Sequence, residues 1–229
     1  KVGAFVFISI GVALLGLGSW ARETAPDPTR PITWGVTFSD AFAIKLGLDW
    51  KETYQAILHD LPASHIRISA YWDEIEPEPG KFDFSMLDYQ VKEAETAGAQ
   101  LIMVVGRKSP RWPECHEPNW VHRYADAAKE SELHTYAKEV VSRYKNSPAV
   151  SLWQVENEPF LAFGECTPSS SAFLDGEIAL VRALDSTHQI LITDGGEFGR
   201  WYQATTRGDL FGTTMYRRVH SDMFGYFDY

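Results

Sequence analysis

The stretch SLWQVENEPF, residues 151–160, begins as an apolar strand and ends in two carboxylates, an amide and a proline. Glu156, Asn157 and Glu158 are costly to bury without partners. A strand that runs into them therefore either ends in solvent or leads into a functional site. Pro159 has no backbone N–H and ends strand pairing. The stretch thus predicts a strand whose carboxyl end carries a cluster of polar side chains.

Similar apolar and β-branched runs recur along the chain and alternate with stretches of helical periodicity. This alternation is typical of repeated βα units around a parallel sheet. The predicted strands are residues 32–38, 65–71, 100–106, 149–156, 189–195 and 210–216. The predicted helices are residues 49–61, 85–98 and 128–145, of which the second has Ser85 as its N-cap and Gly98 as its terminator.

Two closures of such a sheet compete, an open doubly wound sheet and an eight-stranded barrel. A doubly wound nucleotide-binding sheet carries a glycine-rich turn after its first strand, and neither G-x-G-x-x-G nor G-x-x-x-x-G-K-[ST] occurs here. We therefore predict an α/β fold, a (β/α)8 TIM barrel. Such a barrel takes about 250 residues and eight strands. Residues 32–229 contain six predicted strands, so about six βα units are expected in this chain.

The chain is predicted to have three parts. Residues 1–21 contain an apolar run about as long as the ~20 residues that span a bilayer. This run predicts an uncleaved transmembrane anchor, with a cleaved signal segment or a buried helix as alternatives. Residues 22–31 form a Pro-rich linker, and residues 32–229 form the barrel domain. An anchor or a signal would make that domain extracytoplasmic, either membrane-anchored or secreted.

Two cysteines, Cys115 and Cys166, lie in loops that contain proline or glycine. Export permits a disulfide between them, and two unrelated thiols are the alternative. The loops after the third and fourth strands are neighbours on a barrel rim. A bridge is therefore expected to hold the two Cα atoms within about 7 Å of each other.

Charge and histidine spacing bear on possible partners. The chain has 21 basic and 31 acidic residues, a formal net charge of −10, which disfavours nucleic acid as a partner. The seven histidines include no pair with the spacing of a zinc site. We therefore predict no metal and no other cofactor.

In a β/α barrel the chemistry lies at the carboxyl ends of the strands. Many polar and aromatic residues lie in the predicted strands near their carboxyl ends or in the loops that follow. These residues are Arg67, Tyr71, Trp72, Arg107, Lys108, Trp112, His116, Trp120, Glu156, Asn157, Glu158, Asp194, Glu197, Tyr216, Arg217, Arg218 and His220. A charged residue within an apolar strand, such as Arg67, needs a carboxylate partner. Alternation places Gln154, Glu156 and Glu158 on one side of the strand, and a bulge at its end would let Asn157 and Glu158 both face the pocket.

The motif QVENEP, residues 154–159, resembles the acid/base motif of clan A glycoside hydrolases. These are retaining β-glycosidases that include the family 5 cellulases and several β-galactosidases. Residues 67–88 are similar to the segment after their second strand, where an arginine supports the nucleophile. TTMY, residues 213–216, resembles their sixth strand, whose tyrosine hydrogen bonds to that nucleophile. The likeness extends from residue 32 to about residue 220.

This resemblance implies catalytic roles for four residues. Glu158 matches the general acid/base, and Asn157 would hold the 2-hydroxyl of the sugar. Arg67 and Tyr216 would support the nucleophile. Retaining hydrolysis needs a second carboxyl about 5 to 5.5 Å from the first. In the family it is a glutamate at the end of the seventh strand, for which this chain offers no candidate.

The predicted substrate-binding residues are Trp72, Trp112, His116, Trp120 and Glu197. Indole rings offer flat faces to sugars, although each ring could instead be part of the core. Glu156 could raise the pKa of Glu158 as a like charge or belong to an internal ion network. We favour the network.

The sequence therefore predicts a retaining β-glycosidase that hydrolyses O-glycosidic bonds of a β-linked oligo- or polysaccharide and is inactive as this piece of chain alone. The alternative is a catalytically inactive glycan-binding barrel on the cell surface. A third possibility, a nucleotide-dependent α/β enzyme, lacks the phosphate-binding glycines it would need.

Overall fold

A computed structural model describes residues 29, 31–196, 201–216, 218–221 and 225–228. The predicted anchor, residues 1–21, lies outside the described residues, as does most of the predicted linker. Among the helices of the described part, none has the length and apolar character that a membrane span requires.

Six parallel strands form one sheet in which each strand lies beside its neighbour in sequence. They are β1 (Gly35–Thr37), β2 (His65–Ser69), β3 (Gln100–Val105), β4 (Val150–Val155), β5 (Gln189–Asp194) and β6 (Leu210–Thr213). A doubly wound sheet would reverse its strand order at a switch point. The order β1 to β6 contains no reversal, so the sheet is a curled part of a (β/α)8 barrel. The predicted fold class is confirmed.

Helices connect the strands and cover the sheet. They are α1 (Asp40–Lys45), α2 (Trp50–Asp60), α3 (Trp72–Ile75), α4 (Ser85–Ala97), α5 (Asp126–Tyr144), α6 (Ser171–Leu184) and α7 (Tyr202–Thr205), with a 3-10 helix at Asn119–Arg123. Ser85 is the first residue of α4, and Phe84 is its N-cap, which differs from the prediction. The carboxylate of Asp83 accepts the backbone N–H of Ser85. Gly98 ends α4 in the left-handed conformation, as predicted.

The carboxyl-terminal part of the described chain differs from the predicted strands. The predicted sixth strand, residues 210–216, is shorter and ends at Thr213. Two further strands, β7 (Arg218–Ser221) and β8 (Gly225–Asp228), pair antiparallel in a separate hairpin. Arg218 and His220, which were predicted to follow the sixth strand on the barrel rim, lie in β7.

The core lies between the sheet and its helices. Buried side chains of the central strands include Ile66 and Ile68 in β2, Leu101 and Met103 in β3, and Trp153 in β4. Parallel strands that are covered on both faces are expected to be apolar over most of their length. The buried polar residues of β4 and β5, which are Gln154, Thr193 and Asp194, lie toward the carboxyl ends of these strands.

A disulfide joins Cys115 in the loop after β3 to Cys166 in the loop after β4, with a Cα–Cα distance of 4.9 Å. This distance lies within the range that a bridge requires. A second link runs alongside it, because the backbone N–H of Glu165 donates to the carbonyl oxygen of Pro113 at 3.0 Å. The two loops that follow β3 and β4 are thus held together on one rim of the sheet.

Candidate active site

A cavity of about 290 Å³ lies on the inner side of the curled sheet. Its lining comes from β1, β2, β3, β5, β6 and the turn after β4, namely Gly35, Val36, Thr37, His65, Arg67, Ile102, Asn157, Glu158, Leu191, Thr193, Gly212, Thr213 and Thr214. Three residues that were predicted from sequence, Arg67, Asn157 and Glu158, thus meet at one cavity.

The turn after β4 directs its two carboxylates to different places. Glu156 has φ 60° and Glu158 has φ 47°, both in the left-handed region that residues other than glycine seldom adopt. Such conformations persist only where surrounding contacts hold them. The regular alternation expected from sequence is broken here. Glu158 and Asn157 line the cavity, whereas the Glu156 side chain bonds to the backbone that follows β3.

Glu156 is fully buried, and its carboxylate accepts the backbone N–H groups of Arg107 at 2.9 Å and Lys108 at 2.8 Å. Gly106 is required beside it, since a Cβ at that position would lie 2.6 Å from Oε1 of Glu156. The carboxyl group of Glu177 on α6 lies within electrostatic reach of that of Glu156. Burial raises the pKa of both groups, and the Glu156 charge raises that of Glu177 further. Two buried like charges disfavour each other, so Glu177 is expected to keep its proton beside the Glu156 carboxylate. Glu156 belongs to an internal network.

Glu158 is 6% exposed and is held through its backbone. Its N–H donates to Oγ1 of Thr193 at 3.0 Å, and its carbonyl oxygen accepts from Nζ of Lys108 at 3.1 Å. Its carboxyl lies within electrostatic reach of Arg67 and Glu114. A carboxyl with this degree of burial, at the end of a barrel strand and in a cavity wall, is suited to proton transfer.

Gln154 connects the catalytic candidates to one another. Its Oε1 accepts from Nη1 of Arg67 at 3.3 Å, and its Nε2 donates to Oδ1 of Asn157 and to Oγ1 of Thr193, each at 3.3 Å. Arg67 is also fixed by a 3.0 Å bond from its Nε to Oγ1 of Thr37. Burial lowers the pKa of the Arg67 guanidinium, and the nearby charge of Glu158 opposes that effect. The amide and the guanidinium in the cavity wall therefore have fixed orientations.

Sequence reasoning missed Glu114, and it named Lys108 only as a polar residue at a strand end. Lys108 is fully buried, and Glu114 is 8% exposed with φ 61°. Burial raises the pKa of Glu114 to about 7, an effect that the charge of Lys108 opposes and that of Glu158 strengthens. Lys108 is visible in the sequence as a strand-end residue. Its burial is not, because long charged side chains at strand ends are usually solvated.

Two predicted sugar-binding indoles are core residues instead. Trp72 is 1% exposed, stacks on Tyr136 with ring centroids 5.6 Å apart, and donates from Nε1 to the carboxylate of Glu76. Trp120 is 8% exposed and donates from Nε1 to the carbonyl oxygen of Glu76. Neither ring offers an open face in this structure, which corrects the expectation for both. An indole buried with its N–H satisfied is a packing residue.

The other predicted residues are distributed over the rim. Trp112 is 54% exposed, and its ring makes a T-shaped contact with that of Phe163 with the centroids 6.0 Å apart. His116 is buried, with its ring 4.1 Å from that of Tyr71 and its Nδ1 3.1 Å from a carboxylate oxygen of Asp73. Tyr216 follows the end of β6 and is 60% exposed. Glu197 lies outside the described residues.

Comparison with known proteins gives relatives that are similar to this chain in sequence. The family model described as glycosyl hydrolase family 10 matches residues 65–176. The probable mannan endo-1,4-beta-mannosidase F of Aspergillus flavus is 31% identical over 130 residues, which are 51% of this chain and 26% of that protein. This chain spans about a quarter to a third of the curated mannosidases that it matches.

Solved structures agree on the fold. The beta-galactosidase of the psychrophilic Marinomonas ef1 superposes with a TM-score of 0.61 at 14% identity, covering 81% of this chain and 41% of that chain. Xylanase 10C of Cellvibrio japonicus, solved with xylopentaose, superposes with a TM-score of 0.56 at 17% identity, covering 71% and 34%. Both superpositions agree with a (β/α)8 barrel fold. At these identities the likeness is one of fold alone.

Proposed function

We propose that the protein is a retaining β-glycosidase in which Glu158 is the general acid/base. The observation that carries this proposal is the position of Glu158, buried in the wall of the cavity at the end of β4, next to Asn157 and within reach of Arg67. The similarity to glycosyl hydrolase family 10 over residues 65–176, which includes β4 and its turn, supports the same reaction class.

In the proposed reaction Glu158 acts twice. Its carboxyl first gives a proton to the departing glycosidic oxygen while a second carboxylate attacks the anomeric carbon, so that a glycosyl-enzyme forms. Glu158, now ionised, then takes a proton from water, and this water attacks the same carbon and releases the sugar with its configuration retained. The sequence resemblance places the second carboxylate on a seventh parallel strand of the barrel, which the six strands of the described sheet do not include.

Arg67 and Asn157 would assist from the cavity wall. We assign Arg67 to support of the nucleophile, since its guanidinium is fixed by Thr37 and Gln154 and lines the cavity. Asn157 would hold the 2-hydroxyl of the sugar, a contact that strengthens in the transition state. Tyr216, exposed beyond β6, is proposed to reach the nucleophile once that strand is in place.

The substrate is proposed to be a β-linked oligo- or polysaccharide. The relatives that support this class are named as mannan mannosidases and a β-galactosidase, and one similar structure holds xylopentaose. Trp112 is the exposed indole among the predicted sugar contacts. The family 5-like assignment also remains a proposal, since the family model that matches is that of family 10.

We further propose an extracytoplasmic location, membrane-anchored through residues 1–21 or secreted. The disulfide between Cys115 and Cys166 supports it, because such bridges form and persist mainly in oxidising compartments. Fractionation of cells with protease treatment from outside tests this proposal. Complete protection of the domain in intact cells, with both cysteines reduced, would refute it.

The decisive experiment compares Glu158→Gln with Glu139→Gln in the full-length protein. Glu139 is exposed on α5 and serves as the matched control. A panel of mannan, xylan and β-galacto-oligosaccharides first identifies the substrate. Loss of a general acid/base is expected to lower kcat by about 10²- to 10⁴-fold, and the control should keep the wild-type rate. Sugar binding without hydrolysis by the wild-type protein would instead favour a glycan-binding barrel.

A further inference from the structure

Lys108 contacts the turn after β4 at four positions. Its Nζ donates to the carbonyl oxygens of Glu158 at 3.1 Å and Leu161 at 2.9 Å. Its backbone N–H donates to the carboxylate of Glu156 at 2.8 Å, and its carbonyl oxygen accepts the N–H of Asn157 at 2.9 Å. Lys108, in the loop after β3, thus bonds to four residues of the turn that contains the proposed acid/base.

The burial of Lys108 requires an explanation. Its side chain is fully buried, and lysine is almost never buried without a compensating partner. Burial lowers the pKa of Lys108, while the charges of Glu114, Glu156 and Glu158 oppose that shift. No salt bridge of Lys108 to these carboxylates is found among the described residues, and its described Nζ partners are the two carbonyl oxygens. The ammonium group is therefore placed to bind backbone.

The backbone that Lys108 binds is strained. Glu158 has φ 47°, a conformation that costs a residue with a Cβ and persists only where its surroundings hold it. Bonds from a charged donor are stronger than neutral ones, and in a buried site they are strengthened further. An ammonium group that bridges the carbonyls of Glu158 and Leu161 closes this turn in its left-handed form.

We propose that Lys108 is the positioning residue of Glu158, fixing the turn so that the acid/base carboxyl faces the glycosidic oxygen. This inference rests on the proposed function and assigns to it a residue that the sequence motif does not contain. Lys108 itself does not touch the substrate. It acts through the backbone of Glu158.

The test uses the dependence of the rate on the leaving group. A dinitrophenyl glycoside departs with little acid help, whereas an alkyl glycoside needs a proton. Misplacement of a catalytic group by about 1 Å can cost about 10²-fold. In full-length Lys108→Met, kcat/KM for the alkyl glycoside is expected to fall about 10- to 100-fold, and that for the dinitrophenyl glycoside by less than about 3-fold. Lys138→Met on the exposed face of α5 is the matched control.

A second variant covers the outcome that Lys108→Met does not fold. Lys108→Gln keeps N–H donors for the two carbonyls but loses the charge, so the same selective loss is expected at smaller size. Equal losses on both substrates, or no loss in a folded variant, would overturn the assignment of Lys108 as a positioning residue. Glu158→Ala separates the two proposals. If Glu158→Ala itself shows no selective loss, the proposed function fails, whatever Lys108 does.

Discussion

At the end of β4, Glu156 and Glu158 share a left-handed backbone and a buried position, but their side chains have different surroundings. The carboxylate of Glu156 accepts the backbone N–H groups of Arg107 and Lys108, and its charge raises the pKa of Glu177. Glu158 is held through its own N–H and carbonyl oxygen, and its side chain lines the cavity. The Glu156 carboxylate therefore stabilises the turn, whereas the Glu158 side chain is directed by the turn into the cavity wall.

The largest expected effect on stability comes from Glu156→Ala. This change leaves the N–H groups of Arg107 and Lys108 without their acceptor in a buried place, and it should lower the free energy of unfolding by about 2–5 kcal/mol. Glu158→Ala should change it less than Glu156→Ala does, because the Glu158 side chain lines the cavity and the backbone bonds of residue 158 to Thr193 and Lys108 remain. Urea denaturation of both variants checks the contrast. Equal losses of unfolding free energy in the two variants would contradict the different roles assigned to Glu156 and Glu158.

Removal of the disulfide tests how far the stability of the loops after β3 and β4, next to Glu156 and Glu158, depends on the bridge. The bridge closes a sequence separation of 51 residues between Cys115 and Cys166. The double variant Cys115→Ser with Cys166→Ser is expected to lose about 2–4 kcal/mol of unfolding free energy. Thermal unfolding with and without a reductant measures it. A variant as stable as the oxidised wild type would show that the loops hold without the bridge.

The raised pKa of Glu177 predicts a pH dependence of stability. An ordinary glutamate in the unfolded chain has a pKa near 4.5, whereas that of Glu177 is raised well above it by burial and by Glu156. As the pH rises from 4.5, the unfolded chain loses the Glu177 proton before the folded one does, so stability falls by up to about 1.4 kcal/mol per pH unit. The loss continues until the folded pKa is passed.

Glu177→Gln should remove this slope, since an amide does not titrate in this pH range. The advantage of the variant over the wild type is therefore expected to grow as the pH rises from 4.5. Denaturant titrations of both proteins at several pH values between 4.5 and 8 measure it. Parallel stability curves would mean that the folded chain does not keep a proton on Glu177.

The smallest effect on stability is expected at Trp112. Because its ring is 54% exposed, Trp112→Ala should change the free energy of unfolding by less than about 0.5 kcal/mol. If the indole stacks on a sugar, KM should rise by roughly 3- to 10-fold, and Trp112→Phe should recover part of it. An unchanged KM for every substrate in the panel would remove Trp112 from the sugar-binding residues.

Much of the fold could be predicted from the sequence, because strand and helix periodicity and the absence of nucleotide-binding glycines are local features. Arg67, Asn157 and Glu158 could be placed on one cavity, since Arg67 lies in β2 and the other two follow β4, and the carboxyl ends of parallel strands meet. The role of Lys108 could not be predicted, because it depends on which carbonyl oxygens the neighbouring turn directs inward. The burial of Trp72 and Trp120 likewise depends on packing with Tyr136 and Glu76.

The left-handed turn explains where strand alternation failed. A strict period of two places Glu156 and Glu158 on the same side of the strand. With a positive φ at both residues, the Glu156 side chain instead bonds to the backbone that follows β3, and the Glu158 side chain lines the cavity. Periodicity applies only while the strand continues, and β4 ends at Val155.

The central claim, that Glu158 performs chemistry and Glu156 builds the turn, is tested most directly by azide rescue. Both alanine variants of the full-length protein are assayed on an activated aryl glycoside with and without azide. A small anionic nucleophile needs no general base, so azide should restore turnover of Glu158→Ala and yield the β-glycosyl azide with retained configuration. Glu156→Ala should show no rescue. Rescue of Glu156→Ala, or full activity of Glu158→Ala on the natural substrate without azide, would contradict the account.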